Sequence, residues 1–189
     1  GDVRWSVTPS QLDPQLERAA FHGTPVASGG QIIVMVRRSQ ASSFQDSYLF
    51  SIDAATGELR WRRHLASTAG PTRRNVLPAM SSMTLDRGTV YLCDNLGAVA
   101  AVDARTGGVR WVRVLLTEQV DERGRPQGLS IPFSDVARPQ RVAAGLIVPM
   151  RSNTARGLRL EPEPGRVIEQ FKSASPLASA ADLAQPADG

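Results

Sequence analysis

The sequence predicts an all-β protein, a partial β-propeller of about three four-stranded antiparallel blades preceded by a remnant strand. The segment Leu49–Trp61 returns as Val99–Trp111, and the apolar residues around each copy alternate with strand periodicity. A repeat of about 50 residues with strand-like content is typical of propellers and arrays. All the tryptophans of the chain occupy one phase of the repeat, four residues after the motif glycine or its equivalent: Trp5, Trp61 and Trp111.

Residues 1–22 are predicted to contain the remnant strand and a short inter-blade helix. The first five residues match the tail of the repeat, so an earlier part of that unit is expected upstream. Asp13 is a good N-cap, Pro14 suits the first helical position, and Gly23 suits the position after the last turn. We therefore predict a helix over about residues 14–21.

The three predicted blades cover residues 23–75, 76–137 and 138–171. The first two are centred on Asp-x-x-Thr-Gly, a tight hairpin connection in which glycine supplies a positive φ, and the third on a worn copy of it that ends at Gly165. The aspartate and threonine of such a turn bond nearby backbone amides. The structural repeat positions are Asp53, Thr56, Gly57, Asp103, Thr106, Gly107 and Gly165.

The third blade departs from the repeat. Pro149 interrupts its second strand, where proline removes a ladder hydrogen bond. Pro164 replaces the motif threonine, and Glu169 stands at the tryptophan position. We expect a degenerate blade, followed at 172–189 by a flexible tail or linker rich in Ala, Ser, Pro and Asp.

The pattern Asp-x-x-Thr-Gly-x-x-x-Trp, after a Gly-x-hydrophobic-hydrophobic strand, resembles the PQQ-like repeat of quinoprotein-type β-propellers. The resemblance is close over residues 23–116 and weaker over 138–171. It implies that Trp61 and Trp111 dock between neighbouring blades. It also implies a periplasmic, secreted or cell-surface protein. Because closed propellers have about four to eight blades, we expect the chain to be part of a longer protein.

The long connections of the repeat predict a functional face. Connections 37–47, 66–76 and 117–135 are long, whereas the other turns are short. Strand direction alternates in an antiparallel blade, so all three should emerge on one side, and loops held by a rigid scaffold often carry function. Four arginines there break the repeat and are candidate partner-binding residues, expected to be exposed: Arg37, Arg38, Arg73 and Arg74.

Composition and motifs point to no particular reaction. The net charge of +4 comes mostly from arginine, which we interpret as solvated surface charge, and we expect no nucleic-acid partner. Cys93 alone permits neither an internal disulfide nor a cysteine-based zinc cluster, and its strand position predicts an inert buried thiol. There is no haem-attachment motif, phosphate loop or run of 18 apolar residues. Asp53 and Asp103 recur with the repeat and are interpreted as turn-capping residues, so we predict no catalytic, cofactor-binding or metal-binding residues.

Two functions therefore stay open at this point. The first is a non-catalytic scaffold that binds a protein or another macromolecule through its long-loop face. It would resemble the exported members of the family that assist outer-membrane barrel assembly. The alternative is a segment of a PQQ- and calcium-dependent dehydrogenase with its catalytic residues in other blades. An incomplete ring should also leave apolar blade faces bare, so we expect self-association or a partner chain that supplies the remaining blades.

Overall fold

The computed structural model describes residues 2–40, 44–69, 82–94, 97–114, 117–120, 123, 125–130, 138–150 and 156–172. The described chain forms three four-stranded antiparallel sheets, each with its strands in sequence order, and one two-stranded sheet. This confirms the predicted fold class. The strands are β1 Ala19–Ser28, β2 Gln31–Gln40, β3 Phe44–Asp53, β4 Leu59–Ala69, β5 Ser82–Asp86, β6 Thr89–Asp94, β7 Ala98–Asp103, β8 Val109–Val114, β9 Thr117–Val120, β10 Pro126–Ser130, β11 Gln140–Val142, β12 Gly145–Met150, β13 Arg156–Leu160 and β14 Val167–Lys172.

The three large sheets stack as blades because successive side chains of each strand point to opposite faces. In β2, Ile33 and Met35 pack against the second sheet, while Val34 and Val36 pack on the other side. The second and third sheets enclose a further apolar layer around Trp111 and Leu146. Burial of these layers, at roughly 25 cal/mol per Å² of apolar surface, is the main force that holds the blades together.

The amino-terminal segment differs from its prediction. Helix α1 spans Pro9–Leu12 and a 3₁₀ turn spans Pro14–Leu16, so the predicted helix over residues 14–21 is wrong. Asp13 does act as an N-cap, since its side chain accepts from the Gln15 amide. Residues from Ala19 onward instead pair with β2. Tertiary strand pairing thus overrides the local helix signals.

Gly23 also has a different role from the one predicted. It lies within β1, with a φ of 72°, where the β1–β2 register shifts between His22 and Val26. The positive φ accommodates this bulge and does not end a helix.

The amino-side face of the first sheet is covered, contrary to the expectation of a bare blade face. Leu16 is fully buried against Phe50, and Trp5 and Leu12 pack on the same cluster. Arg62 of β4 forms an ion pair with Asp13 of the covering segment. The apolar surface that motivated self-association at this end is therefore already buried within the chain.

The first sheet is longer than its sequence pattern predicts. Strands β2 and β3 pair as far as Gln40 and Phe44, so the connection predicted at 37–47 is mostly strand, with only 41–43 between the strands. Phe44 pairs in turn with Ala69 of β4. Three paired strands satisfy one another's backbone groups, so this polar stretch needs no apolar alternation to form a sheet.

The third sheet accommodates Pro149 inside β12. The strand continues through the proline, which pairs with Gly157 of β13. On the other side of β12, pairing with β11 ends at Ile147, so Pro149 has no strand partner there within the described residues. The missing amide of proline therefore costs no ladder hydrogen bond to β11.

The predicted connection at 117–135 contains a β-hairpin. Strand β9 pairs with β10, and Leu129 lies opposite Glu118. Residues 131–137 and most of the predicted connection at 66–76 lie outside the described residues. In the part of the chain that is described, no helix is long and apolar enough to cross a membrane.

Candidate functional site

The repeat turn is built by its aspartate. In the first blade, Asp53 accepts hydrogen bonds from the amides of Ala55 and Thr56 at 2.8 and 3.0 Å. Arg60 donates to the other carboxylate oxygen at 2.6 and 3.1 Å. The Arg60 guanidinium, followed by the Thr56 and Ala55 amides, lowers the pKa of Asp53 to about 2. The second blade repeats the arrangement around Asp103, whose pKa is lowered chiefly by the Thr106 amide and hydroxyl.

Each tryptophan of the repeat lies on the motif glycine of the following blade. A Cβ atom on Gly107 would lie 2.6 Å from the Trp61 ring, and one on Gly165 would lie 2.5 Å from Trp111. The amino-terminal Trp5 takes the same position on Gly57. These close approaches require glycine, in addition to its positive φ. Trp111 is 7% exposed, whereas Trp61 is only partly buried.

In addition to the tryptophan, an arginine of β4 and an arginine of β8 contact the next blade. Sequence reasoning missed these arginines. Arg63 donates to the carbonyl of Gly107 at 2.7 Å, and Arg113 donates to the carbonyl of Pro164 at 3.5 Å. Both arginines lie six residues after the motif glycine of their own blade. That shared spacing is a signal from which these inter-blade contacts could have been inferred.

The junction between the first two blades has its own polar link. Trp5 and Trp111 donate their indole N–H groups to Ala54 and Pro162, the carbonyls three residues before the next glycine. At the intervening junction the corresponding carbonyl of Ala104 accepts from the buried Gln31 side chain at 2.5 Å. Ser51 donates to the other end of Gln31 at 2.6 Å.

This link changes the environment of the middle tryptophan. Gln31 occupies the acceptor that the repeat would offer to Trp61. The Trp61 indole nitrogen is buried and has no hydrogen-bond partner in the described part of the chain. A buried donor without an acceptor is costly, so the polar contacts of this junction come from Gln31, Arg63 and Arg37 and not from its tryptophan.

Arg37 crosses the same junction as a buried ion pair. Its guanidinium lies 3.3 Å from the carboxylate of Asp94 at the end of β6, with the two side chains 9% and 0% exposed. The expectation that Arg37 is exposed is therefore wrong. Burial lowers the pKa of Arg37, an effect that Asp94 opposes. Neighbouring His22 has its pKa lowered by burial and then by the Arg37 charge.

The other predicted binding residues have different outcomes. Arg38 is partly exposed, next to Arg37 on β2, and Arg73 and Arg74 lie outside the described residues. Cys93 is buried, and burial followed by the Asp94 charge raises the pKa of its thiol far above the usual range. It has the burial expected of an inert thiol.

A polar cluster on β3 and β4 consists of Asp46, His64 and Ser67. The Ser67 hydroxyl donates to the buried carboxylate of Asp46 at 2.7 Å and lies 2.8 Å from Nε2 of His64. Asp46 is 3.9 Å from the same imidazole nitrogen. In a nucleophilic triad the carboxylate bonds the imidazole nitrogen opposite the serine, which it does not do here. The cluster therefore lacks the arrangement of a hydrolase.

The ends of the strands define one face, called here the insertion face. The end of β2 at Gln40, the start of β3 at Phe44 and the end of β4 at Ala69 lie on it, because these residues are paired side by side. The end of β6 at Asp94 lies on the same face, since Asp94 contacts Arg37 of β2. The predicted shared side of connections 37–47 and 66–76 is confirmed for their described parts. On the opposite face, motif acids and arginines pair with each other, as in Arg110 with Glu163 and Arg166 with Glu161.

The described residues do not assemble a metal site by themselves. No group of three or more His, Cys, Asp or Glu side chains converges among them. Several carboxylates of the described chain are engaged in ion pairs with arginines. These carboxylates include Asp53, Asp103, Glu161 and Asp94. A calcium and quinone site of the quinoprotein type would need ligands from outside this set.

Comparisons with known proteins give a family match. The family model of the outer membrane protein assembly factor BamB matches residues 1–170. A search of curated proteins found no match.

Solved structures similar to this chain include BamB from Moraxella catarrhalis, with 17% identity and a TM-score of 0.36, over 83% of this chain and 51% of that one. A europium-containing methanol dehydrogenase is similar at 14% identity and a TM-score of 0.48, over 82% of this chain and 26% of that one. The quinohemoprotein alcohol dehydrogenase of Comamonas testosteroni is similar at 14% identity and a TM-score of 0.47, over 83% and 29%. The chain spans about half or less of the length of each.

Proposed function

Because the chain belongs to the family of the outer membrane protein assembly factor BamB, we propose that it is a non-catalytic propeller scaffold that binds a protein through its insertion face. The partner is a protein that takes part in outer-membrane assembly, and the location is periplasmic. The family description and the resemblance of the repeat support both.

One observation carries the proposal, the extension of the first blade on the insertion face. Strands β2 and β4 have 10 and 11 residues, whereas β6 and β8 have 6 each. At about 3.3 Å per residue, four additional residues make the described β2 roughly 13 Å longer than the described β6. A protruding three-stranded sheet on a rigid stack is a surface suited to a partner.

The charges at this extension suggest how the residues are used. Arg38 and Ser39 are at least partly exposed on β2 and are proposed to contact the partner, together with Arg73 and Arg74. Arg37 is buried next to Arg38 and fixes this part of β2 against the second blade through its ion pair with Asp94. We expect the arginines to attract an acidic surface of the partner.

Site-specific photo-crosslinking in the source organism tests the proposal. A benzophenone amino acid replaces Ser39 on the insertion face or, as the matched control, Arg105 in the turn on the opposite face. Both residues are exposed. We expect a protein adduct from Ser39 and none from Arg105. Adducts from Arg105 alone, or from neither position, would refute binding through the insertion face.

The alternative, a segment of a PQQ- and calcium-dependent dehydrogenase, has its own test. Spectroscopic titration of the purified chain with the quinone and calcium should show no saturable binding if the chain is a scaffold. Saturable binding that depends on calcium would favour the dehydrogenase alternative.

A further inference from the structure

We propose that β4 forms an intermolecular sheet, in which its open edge over Ala66–Ala69 pairs with the same edge in a second copy of the chain. Strand β4 is the last strand of its sheet, so one side of its backbone pairs with β3 and the other faces outward. Within the described residues, Ala66–Ala69 make no backbone hydrogen bond beyond that pairing. An edge of unpaired N–H and C=O groups is a template for another strand.

The exposed segment lacks the usual protection of an edge strand. Charged side chains, prolines and bulges normally prevent edge pairing. The first half of β4 carries Arg60, Arg62 and Arg63, and both irregularities in its pairing with β3 fall before Ala66. The last four residues, Ala-Ser-Thr-Ala, contain no charge and no proline. In the second sheet the corresponding edge strand has Arg110 and Arg113 within six residues.

A second copy is the occupant that these charges favour. An antiparallel pairing about a twofold axis places Ser67 opposite Thr68 and Ala66 opposite Ala69, which is an isologous contact. The arginines of each strand then lie beyond the paired segment, so like charges do not face each other. An acidic peptide is less suited, because Arg60 and Arg62 already pair with Asp53 and Asp13.

The described strands of the second blade have no counterpart of this stretch. Ala66–Ala69 pair with Phe44–Ser47, in the extension that the six-residue strands of the second sheet lack. Ser67 is exposed there. The inference is independent of the proposed partner, since it concerns only the chain with itself.

Analytical ultracentrifugation of the purified chain, up to several hundred micromolar, is the test. We expect the average mass to rise from one chain toward two. Ser67→Lys should weaken the dimer about tenfold or more, since it places like charges beside the twofold axis. Ser67→Ala is the matched control, because it removes the same bonds to Asp46 and His64 and leaves the edge neutral.

The outcomes separate cleanly. Dimerisation of the parent and of Ser67→Ala supports the proposal, together with loss of the dimer in Ser67→Lys at the melting temperature of Ser67→Ala. A parent that stays monomeric throughout would overturn it, as would a Ser67→Lys variant that dimerises like the parent. If Ser67→Lys fails to fold, Thr68→Lys provides the second charge variant and is judged by the same criteria.

Discussion

The ring of Trp61 lies on the backbone of Gly107 in the next blade, so closely that a Cβ atom there would be 2.6 Å from Cε3 of the indole. Trp61 lies on β4 of the first sheet and Gly107 in the turn between β7 and β8 of the second, so their contact sets the distance between the two sheets. Gly107 has a φ of 69°, so the same residue both turns the hairpin and receives the neighbouring ring.

Replacing Gly107 should therefore lower the free energy of unfolding by more than the positive φ of this residue accounts for. Gly107→Ala should lose about 1–2 kcal/mol from the left-handed backbone and roughly 1–3 kcal/mol from the clash with Trp61. Gly88→Ala is the control, because Gly88 has a φ of 75° and nothing within 4 Å of an added Cβ. Urea unfolding of both variants measures the difference. Equal losses of unfolding free energy in the two variants would show that the Trp61 ring moves aside at no energetic cost.

The two inner tryptophans should respond differently to phenylalanine. Trp111→Phe removes a hydrogen bond to Pro162 and should lose about 1 kcal/mol more than Trp61→Phe, whose indole N–H has no partner in the described chain. Trp111→Ala should lose about 3–5 kcal/mol, as for other buried large aromatics. Chemical denaturation of the variants compares the three values. A greater loss from Trp61→Phe than from Trp111→Phe would contradict the assignment.

The buried ion pair should be more sensitive to the loss of one partner than of both. Arg37→Met leaves Asp94 buried without this partner, and Asp94→Leu does the same to Arg37, so each single variant should destabilise the chain by about 3–5 kcal/mol. The double variant Arg37→Met with Asp94→Leu should lose clearly less, because no charge remains in the layer. Thermal unfolding of single and double variants is the measurement. Additive losses would show that the two residues do not act as a pair.

The repeat turns should make stability depend on acid pH. The pKa of Asp53 is about 2 in the folded chain, below its ordinary value near 4. Its contribution is therefore complete above about pH 4 and declines as the pH falls toward 2, where the folded carboxylate is protonated. Asp53→Asn should flatten the stability profile between those values. Denaturation measured across this range tests it, and a variant profile with the parent's slope would be inconsistent.

Much of the fold follows from short stretches of sequence. The phase of the tryptophans, the Asp-x-x-Thr-Gly turns and the alternating apolar residues predict the three sheets correctly. Each of these signals acts over a few residues, because a turn needs its own glycine and capping aspartate, and a strand shows its own period. The same local logic predicts Asp53 and Asp103 as turn-capping residues.

The candidate site depends on partners that are distant in sequence. Arg37 carries a charged side chain in a polar stretch, which by itself predicts exposure, yet its partner Asp94 is 57 positions away. Gln31 reaches Ala104 across 73 positions. No local pattern marks either pair, since their positions oppose each other only after the blades stack.

The sequence by itself thus determined the repeat, its turns and the number of complete sheets. The tertiary structure alone decided that Leu16 covers the first blade, that β2 to β4 extend beyond their apolar pattern, and that Arg37 is buried. The physical reason is that strand pairing and blade stacking satisfy backbone groups and charges through long-range contacts. Those contacts outweigh local propensity wherever the local signal is weak.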